Sequence, residues 1–315
     1  MEPNHADELE AAELSSAERT RRERARLFAA AIQARRAAVE ERAQRERGRH
    51  SSVDAIFEMV DRDTEFGGGI IAGALAFRFF IWLLPFGLVL VGGLGITAGA
   101  ASDSPQDTAG KLGLAGLVSN SVSSAADGTA HWYALLVGVP VLVYATRSVL
   151  RVLIGSHRIL WGDARAAAPR PTILASLKLL ALLLSMFVVS GLASTLRAWS
   201  PGPGVLATLI GMLPFGAIWL VISLHLPHRG SSWRALVPGA ILFAFGLEVI
   251  QVGAAYLLAP YAIAKQGTYG ALGLAAALLL ALFFISRLVV GAAIVNATLW
   301  ERKARRRRAE ARPGE

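Results

Sequence analysis

Four charged residues lie deep within long apolar stretches of this sequence: Arg78, Arg147, Glu248 and Arg287. Arg78, for example, interrupts GALAFRFFIWLLPFGLVLVGGLG at residues 73–95. A charge that faces lipid near the middle of a bilayer costs about 2.5–3.5 kcal/mol even on the most lenient scale. We therefore expect the three arginines to face the interior of a helical bundle or a water-filled cavity.

Two arrangements of these charges are open from the sequence. In the first, Arg78, Arg147 and Arg287 line a cationic cavity that binds an anionic ligand, because a single carboxylate cannot neutralise three cations. In the second, Glu248 forms an ion pair with one of the arginines and the cluster is purely structural.

The remaining polar residues do not form a catalytic pattern. The chain has no cysteine, which excludes disulfides, thiolate nucleophiles and cysteine-bound zinc. Its six histidines are scattered over tails, loops and segment ends, and neither a Walker A nor an HExxH sequence occurs. No pair of carboxylates has the spacing that acid–base catalysis needs. We therefore expect no metal site, no cofactor and no enzymatic activity.

Six apolar segments carry the buried charges, at about 70–96, 132–155, 172–196, 204–226, 236–259 and 271–297. As helices, all are long enough to cross a hydrocarbon core of about 30 Å. Their apolar residues run continuously instead of alternating, which indicates helices and not barrel strands. The sequence therefore predicts an all-α fold, a polytopic bundle of six transmembrane helices within residues 50–300.

The ends of the chain are charged. Residues 1–69 contain 12 Lys/Arg and 15 Asp/Glu, and residues 301–315 contain seven further basic side chains. Five arginines lie in the loops 156–171 and 227–235, whereas the alternate stretches 97–131, 197–203 and 260–270 contain three basic residues together. The positive-inside bias therefore predicts a multi-pass protein with both termini in the cytoplasm.

The two tails suggest different partners. Residues 1–49 are rich in Ala, Glu and Arg, which favours a charged cytoplasmic helix, although a disordered tail is the alternative. Such a helix is either simply solvated or binds a protein partner. Residues 301–315 form a basic cytoplasmic tail, for which we expect anionic lipid headgroups, and not nucleic acid, as the partner.

Four blocks of the chain resemble the YihY/virulence factor BrkB family of bacterial inner-membrane proteins, once labelled ribonuclease BN. They are the 73–95 segment, RVLIGSHRILWG at 151–162, WRALVPGAILFAFGLEVIQ at 233–251 and TYGALGLAAALLLALFFISRLVVGAAIVNATLWER at 268–302. The likeness covers roughly residues 50–305. Arg78 departs from the family pattern, and residues 292–296 lack a carboxylate that the family tends to carry there.

The resemblance implies a cytoplasmic-membrane protein of bacteria with six spans and both ends inside. Family links to envelope integrity and lipid movement imply a transport-like role. Together with the cationic residues of the spans, this predicts transport or flipping of an anionic lipid or other amphiphile through the cationic inner cavity. The alternative is a structural or scaffold protein of the envelope without transport activity.

Overall fold

The computed structural model describes residue 35 and residues 51–101, 130–163, 170–199, 205–253 and 259–311. Within these residues the secondary structure is entirely helical, which confirms the predicted all-α class. The seven α-helices of this part are α1 (Ser51–Glu65), α2 (Gly68–Ala101), α3 (Ala130–Leu160), α4 (Ile173–Trp199), α5 (Val205–His225), α6 (Val237–Gly253) and α7 (Ala259–Glu310), and a 3-10 turn (Trp233–Ala235) precedes α6.

Each of the six predicted apolar segments coincides with one of the helices α2 to α7. Within the described residues, four stretches are long and apolar enough to cross a membrane: Gly68–Leu90, Trp132–Leu160, Ile173–Gly191 and Ala275–Glu310. Helices α5 and α6 contribute the shorter apolar stretches Gly211–His225 and Val237–Gln251.

The predicted loop at 260–270 is wrong, because α7 begins at Ala259 and runs for 52 residues. Polar residues near Lys265 lower the hydropathy there, but they do not stop a helix. Pro260 stands in the first turn, where the missing backbone N–H breaks no intrahelical bond. The predicted N-terminal helix falls outside the described residues except for Arg35, which is helical.

The chain divides into two compact units, Met1–Glu58 and Met59–Glu315, with the boundary inside α1. Of the first unit, the structure describes Arg35 and the first half of α1. The second unit contains the second half of α1, all of α2 to α7 and every contact discussed below.

Two polar contacts join helices within the apolar core of the second unit. The indole Nε1 of Trp82 on α2 donates to Thr146 Oγ1 on α3 over 2.8 Å. On the other side, the backbone N–H of Gly239 on α6 donates to Asn296 Oδ1 on α7 over 2.7 Å. A Cβ atom at position 239 would collide with the Ala292 carbonyl oxygen, so glycine lets the start of α6 lie directly against α7.

Candidate functional site

Arg78 lies on the exposed face of α2. On the same helical stripe, Ile81, Leu84 and Leu88 are also exposed, whereas the opposite face buries Trp82 in the core. The expectation that Arg78 faces the interior of the bundle is therefore wrong. The aromatic face of α2 packs inward instead, and the arginine shares a stripe with aliphatic side chains.

A groove of about 530 Å³ between α2 and α3 has Arg78 in its wall. Most of its lining is apolar, and Tyr144 and Ser148 of α3 supply hydroxyl groups. Arg78 and Leu88 both line the groove and are ten residues apart, so it follows α2 for about 15 Å. The groove therefore combines a permanent cation with a long apolar wall.

Arg287 has a different environment, because it forms a bidentate ion pair with Asp63 near the end of α1. Its Nη1 and Nη2 atoms donate to the two carboxylate oxygens over 2.9 and 3.0 Å. Gly68, the first residue of α2, leaves the space for this pair, since a Cβ atom there would collide with the Asp63 carboxylate and lie 3.0 Å from Arg287 Nη1. The charge of Arg287 is thus neutralised by a residue outside the predicted spans.

Arg147 and Glu248 complete the set of predicted site residues. Arg147 Nε donates to the carbonyl oxygen of Pro171 over 3.0 Å, which connects α3 to the residues just before α4. Glu248 is buried on α6 with 8% of its surface exposed. Arg287 already pairs with Asp63. An ion pair of Glu248 with Arg78 or Arg147 therefore stays a prediction.

The three arginines therefore have three separate sets of neighbours. The cavity inside the bundle, about 210 Å³ in volume, is lined by residues of α2, α4, α5, α6 and α7, and none of the described lining residues is charged. This described cavity is apolar and aromatic, and the predicted cationic inner cavity stays a prediction. Whether Arg78, Arg147 and Arg287 bind an anion stays a prediction.

A charged cluster that the sequence analysis missed lies where α3 ends. Arg62 of α1 is only 9% exposed. Its Nε and Nη2 atoms donate to the carbonyl oxygen of Leu160 over 3.1 and 2.8 Å, and Nη1 and Nη2 contact the Glu301 carboxylate over 2.7 and 2.9 Å. The last carbonyl groups of a helix have no intrahelical partner, so Arg62 satisfies one of them while it binds α7.

The Trp-Gly block at 161–162 ends α3 in the same region. Gly162 has φ +68, a conformation that side chains disfavour, and the N–H groups of Gly162 and Asp163 donate to the carbonyls of Ile159 and Arg158. This pattern is a Schellman cap. The block is thus explained by helix termination, without reference to a ligand.

Arg229 extends this cluster from the loop before α6. Its Nη1 atom donates to the Trp161 carbonyl oxygen over 3.2 Å and lies 3.9 Å from Glu301. Its guanidinium group also stands over the ring of Trp300, 5.7 Å from the centroid. Arg229 and Arg62 together connect the elements at one end of the bundle through charged and aromatic contacts.

A second surface cleft, between α3, α4 and α5, has Lys178 and His225 in its lining and a volume of about 170 Å³. Both side chains are exposed. In the described part of the chain, no group of three His, Asp or Glu side chains has the arrangement of a metal site.

These elements define the class of protein, a bundle of long apolar helices connected at one end by charged residues. In the part of the chain that the structure describes, four of the helices are long and apolar enough to span a bilayer. Comparison with protein families gives the more particular assignment. The family model named Virulence factor BrkB matches residues 64–315, and the chain belongs to this family. No curated protein and no solved structure matches the chain. Family membership and the apolar helices indicate a multi-pass membrane protein.

Proposed function

We propose that this protein binds an anionic membrane amphiphile in the groove between α2 and α3 and moves it across the membrane. The observation that carries the proposal is the exposed Arg78 in an otherwise apolar groove on a candidate membrane span. A guanidinium group facing hydrocarbon is costly, and a bound phosphate or carboxylate headgroup would remove much of that cost. The apolar remainder of the groove suits the chains of the same molecule.

The proposed arrangement in the membrane has six spans, α2 to α7, with both termini in the cytoplasm of a bacterial cell. Helix α5 has 21 residues, enough to cross a hydrocarbon core of about 30 Å, and α6 has 17 described residues. In this topology Arg78 lies in the cytoplasmic half of its span. Anionic lipid would then enter the groove from the inner leaflet.

The basic end of α7 supports the same kind of partner. Lys303, Arg307 and Arg308 are exposed in its last turns, beyond the predicted span. Each basic residue near an anionic lipid surface contributes about 1 kcal/mol of binding. We propose that this tail binds anionic lipid headgroups and not nucleic acid, and that the protein catalyses no covalent reaction.

Lipid exchange in reconstituted vesicles tests the proposed function. Vesicles would contain the full chain and a fluorescent phosphatidylglycerol whose outer-leaflet fraction is bleached by dithionite. We expect faster loss of protected signal than in protein-free vesicles. Arg78→Leu should slow this exchange about tenfold, the loss expected for one charge-assisted contact.

Lys178→Leu is the matched control, since it removes another exposed cation from a candidate span but does not touch the groove. It should leave the exchange rate close to that of the unmodified protein. Equal rates in protein-containing and protein-free vesicles would contradict the proposal. Two results together would favour the scaffold alternative. The full chain would show no lipid exchange in vesicles, and deletion of residues 1–48 would abolish the function of the protein in cells.

A further inference from the structure

The interior cavity of the bundle has features that the groove proposal does not use. Five helices line it, and four of them contribute aromatic rings, among them Trp82, Phe187, Trp219 and Phe243. Trp219 stacks on Phe243 with centroids 4.3 Å apart. The volume of the cavity is about 210 Å³. For comparison, a cavity of about 150 Å³ lined by similar residues in another protein binds benzene.

The cavity is open at its side as well as deep. Phe187 of α4 lines it and is 40% exposed, whereas Trp82 beside it is 2% exposed. The two rings and Phe86 stack at centroid distances of 4.7 to 6.3 Å. Since α4 contains a candidate membrane span, we infer that the exposed side of Phe187 faces the hydrocarbon of the bilayer. A chain could therefore enter from the lipid, past Phe187.

The wall of the cavity is almost entirely apolar. Its polar residues are Ser190, Gln251 and Trp219, and the Nε1 atom of Trp219 is fully buried. From Phe243 to Gln251 is eight residues on α6, so the cavity is about 12 Å deep along that helix.

From these features we propose that the cavity is a binding site for a single hydrocarbon chain of a membrane lipid. The chain enters laterally beside Phe187 and packs against the aromatic rings. This site is separate from the α2–α3 groove. It does not require that the lipid cross the membrane.

Photocrosslinking of the full chain in phosphatidylcholine nanodiscs tests the proposal. The probe is a fatty acid with a diazirine near its methyl end, and a second arm uses phosphatidylglycerol with the same acyl chain to separate free acid from lipid. We expect crosslinks on cavity residues such as Met186 and Leu247. Ser190→Phe, which fills the cavity, should reduce them about tenfold.

Val188→Phe is the matched control, because Val188 lies on the same helix two residues away and is 70% exposed. It should leave the cavity crosslinks unchanged. Phe187→Ala widens the entrance and should increase labelling, which keeps the test valid if Ser190→Phe does not fold.

Crosslinks confined to exposed faces, with equal yields in Ser190→Phe and Val188→Phe, would overturn the proposal. Lipid exchange through the groove could still be present in that case. Conversely, cavity labelling without lipid exchange would leave this site standing and contradict the proposed transport.

Discussion

The side chain of Arg62 joins three helices. It connects α1 to the last carbonyl of α3 and to Glu301 of α7 while being almost fully buried. Removing one partner of such a pair leaves an uncompensated charge and costs about 3–5 kcal/mol when the site is fully buried. Because Glu301 is 28% exposed, we expect a loss near the lower end of that range.

Arg62→Ala should therefore lower the free energy of unfolding by about 3 kcal/mol, measured by thermal or denaturant unfolding in a fixed detergent. Lys303→Ala, on the exposed side of the same helix as Glu301, should change it by less than about 0.5 kcal/mol. Similar small effects for both variants would show that the Arg62 network does not stabilise the bundle. Arg62→Lys would keep the charge but lose the fork that binds two acceptors.

At this scale the sequence predicted which residues are unusual but not what they contact. Arg78, Arg147 and Arg287 are conspicuous because each interrupts an apolar segment. Their neighbours depend on which face of each helix packs inward, and α2 is apolar on every side, so hydropathy alone could not decide. Asp63 is 224 residues from Arg287 in the chain and lies before the first apolar segment, where nothing marked it as a partner.

At the level of elements, the junction of α1 and α2 depends on a glycine with no room for a side chain. Gly68 lies against the Asp63–Arg287 ion pair, whereas a Cβ atom on its neighbour Gly69 would meet nothing within 4 Å. The two adjacent positions therefore differ in packing but not in sequence context. They offer a direct test of whether close approach at Gly68 holds α1 to α7.

Gly68→Ala should destabilise the protein by about 1–3 kcal/mol, since a methyl group would force the ion pair apart. Gly69→Ala should have the opposite sign and stabilise by up to about 0.5–1 kcal/mol, because alanine favours the helix. Unfolding midpoints of the two variants in one detergent give the comparison. A neutral or stabilising Gly68→Ala would mean that the junction rearranges easily and that the ion pair is not constrained by packing.

Helix positions were the most predictable elements, because long apolar runs leave few alternatives to a helix. All six predicted segments coincide with helices. The amphipathic helix α1 was missed, since its mixed composition merged with the charged tail. The continuation of α7 through residues 260–270 was missed for a related reason, as hydropathy reports where lipid is favourable and not where a helix begins.

On the scale of the whole molecule, the arrangement of charges predicts a single orientation in the membrane. Basic residues concentrate at one end of the bundle, where Arg62, Arg229 and the last turns of α7 lie. The positive-inside bias predicts that this end faces the cytoplasm. The proposed route for an anionic lipid depends on this orientation, because the inverted topology would place Arg78 nearer the outer leaflet.

The absence of cysteine from the chain makes this orientation directly measurable, since any introduced thiol is unique. A thiol at Ser232→Cys, exposed before α6, should react with a membrane-impermeant maleimide only in inverted vesicles. A thiol at Ser119→Cys, in the stretch predicted to be external, should react only in right-side-out vesicles. Ala309→Cys, near the end of α7, should behave like Ser232→Cys because two crossings, by α6 and α7, return the chain to the same side.

If positions 232 and 309 were labelled from opposite sides, an odd number of crossings would separate them. One of α6 and α7 would then cross while the other did not, and the groove could no longer be assigned an entrance from the inner leaflet.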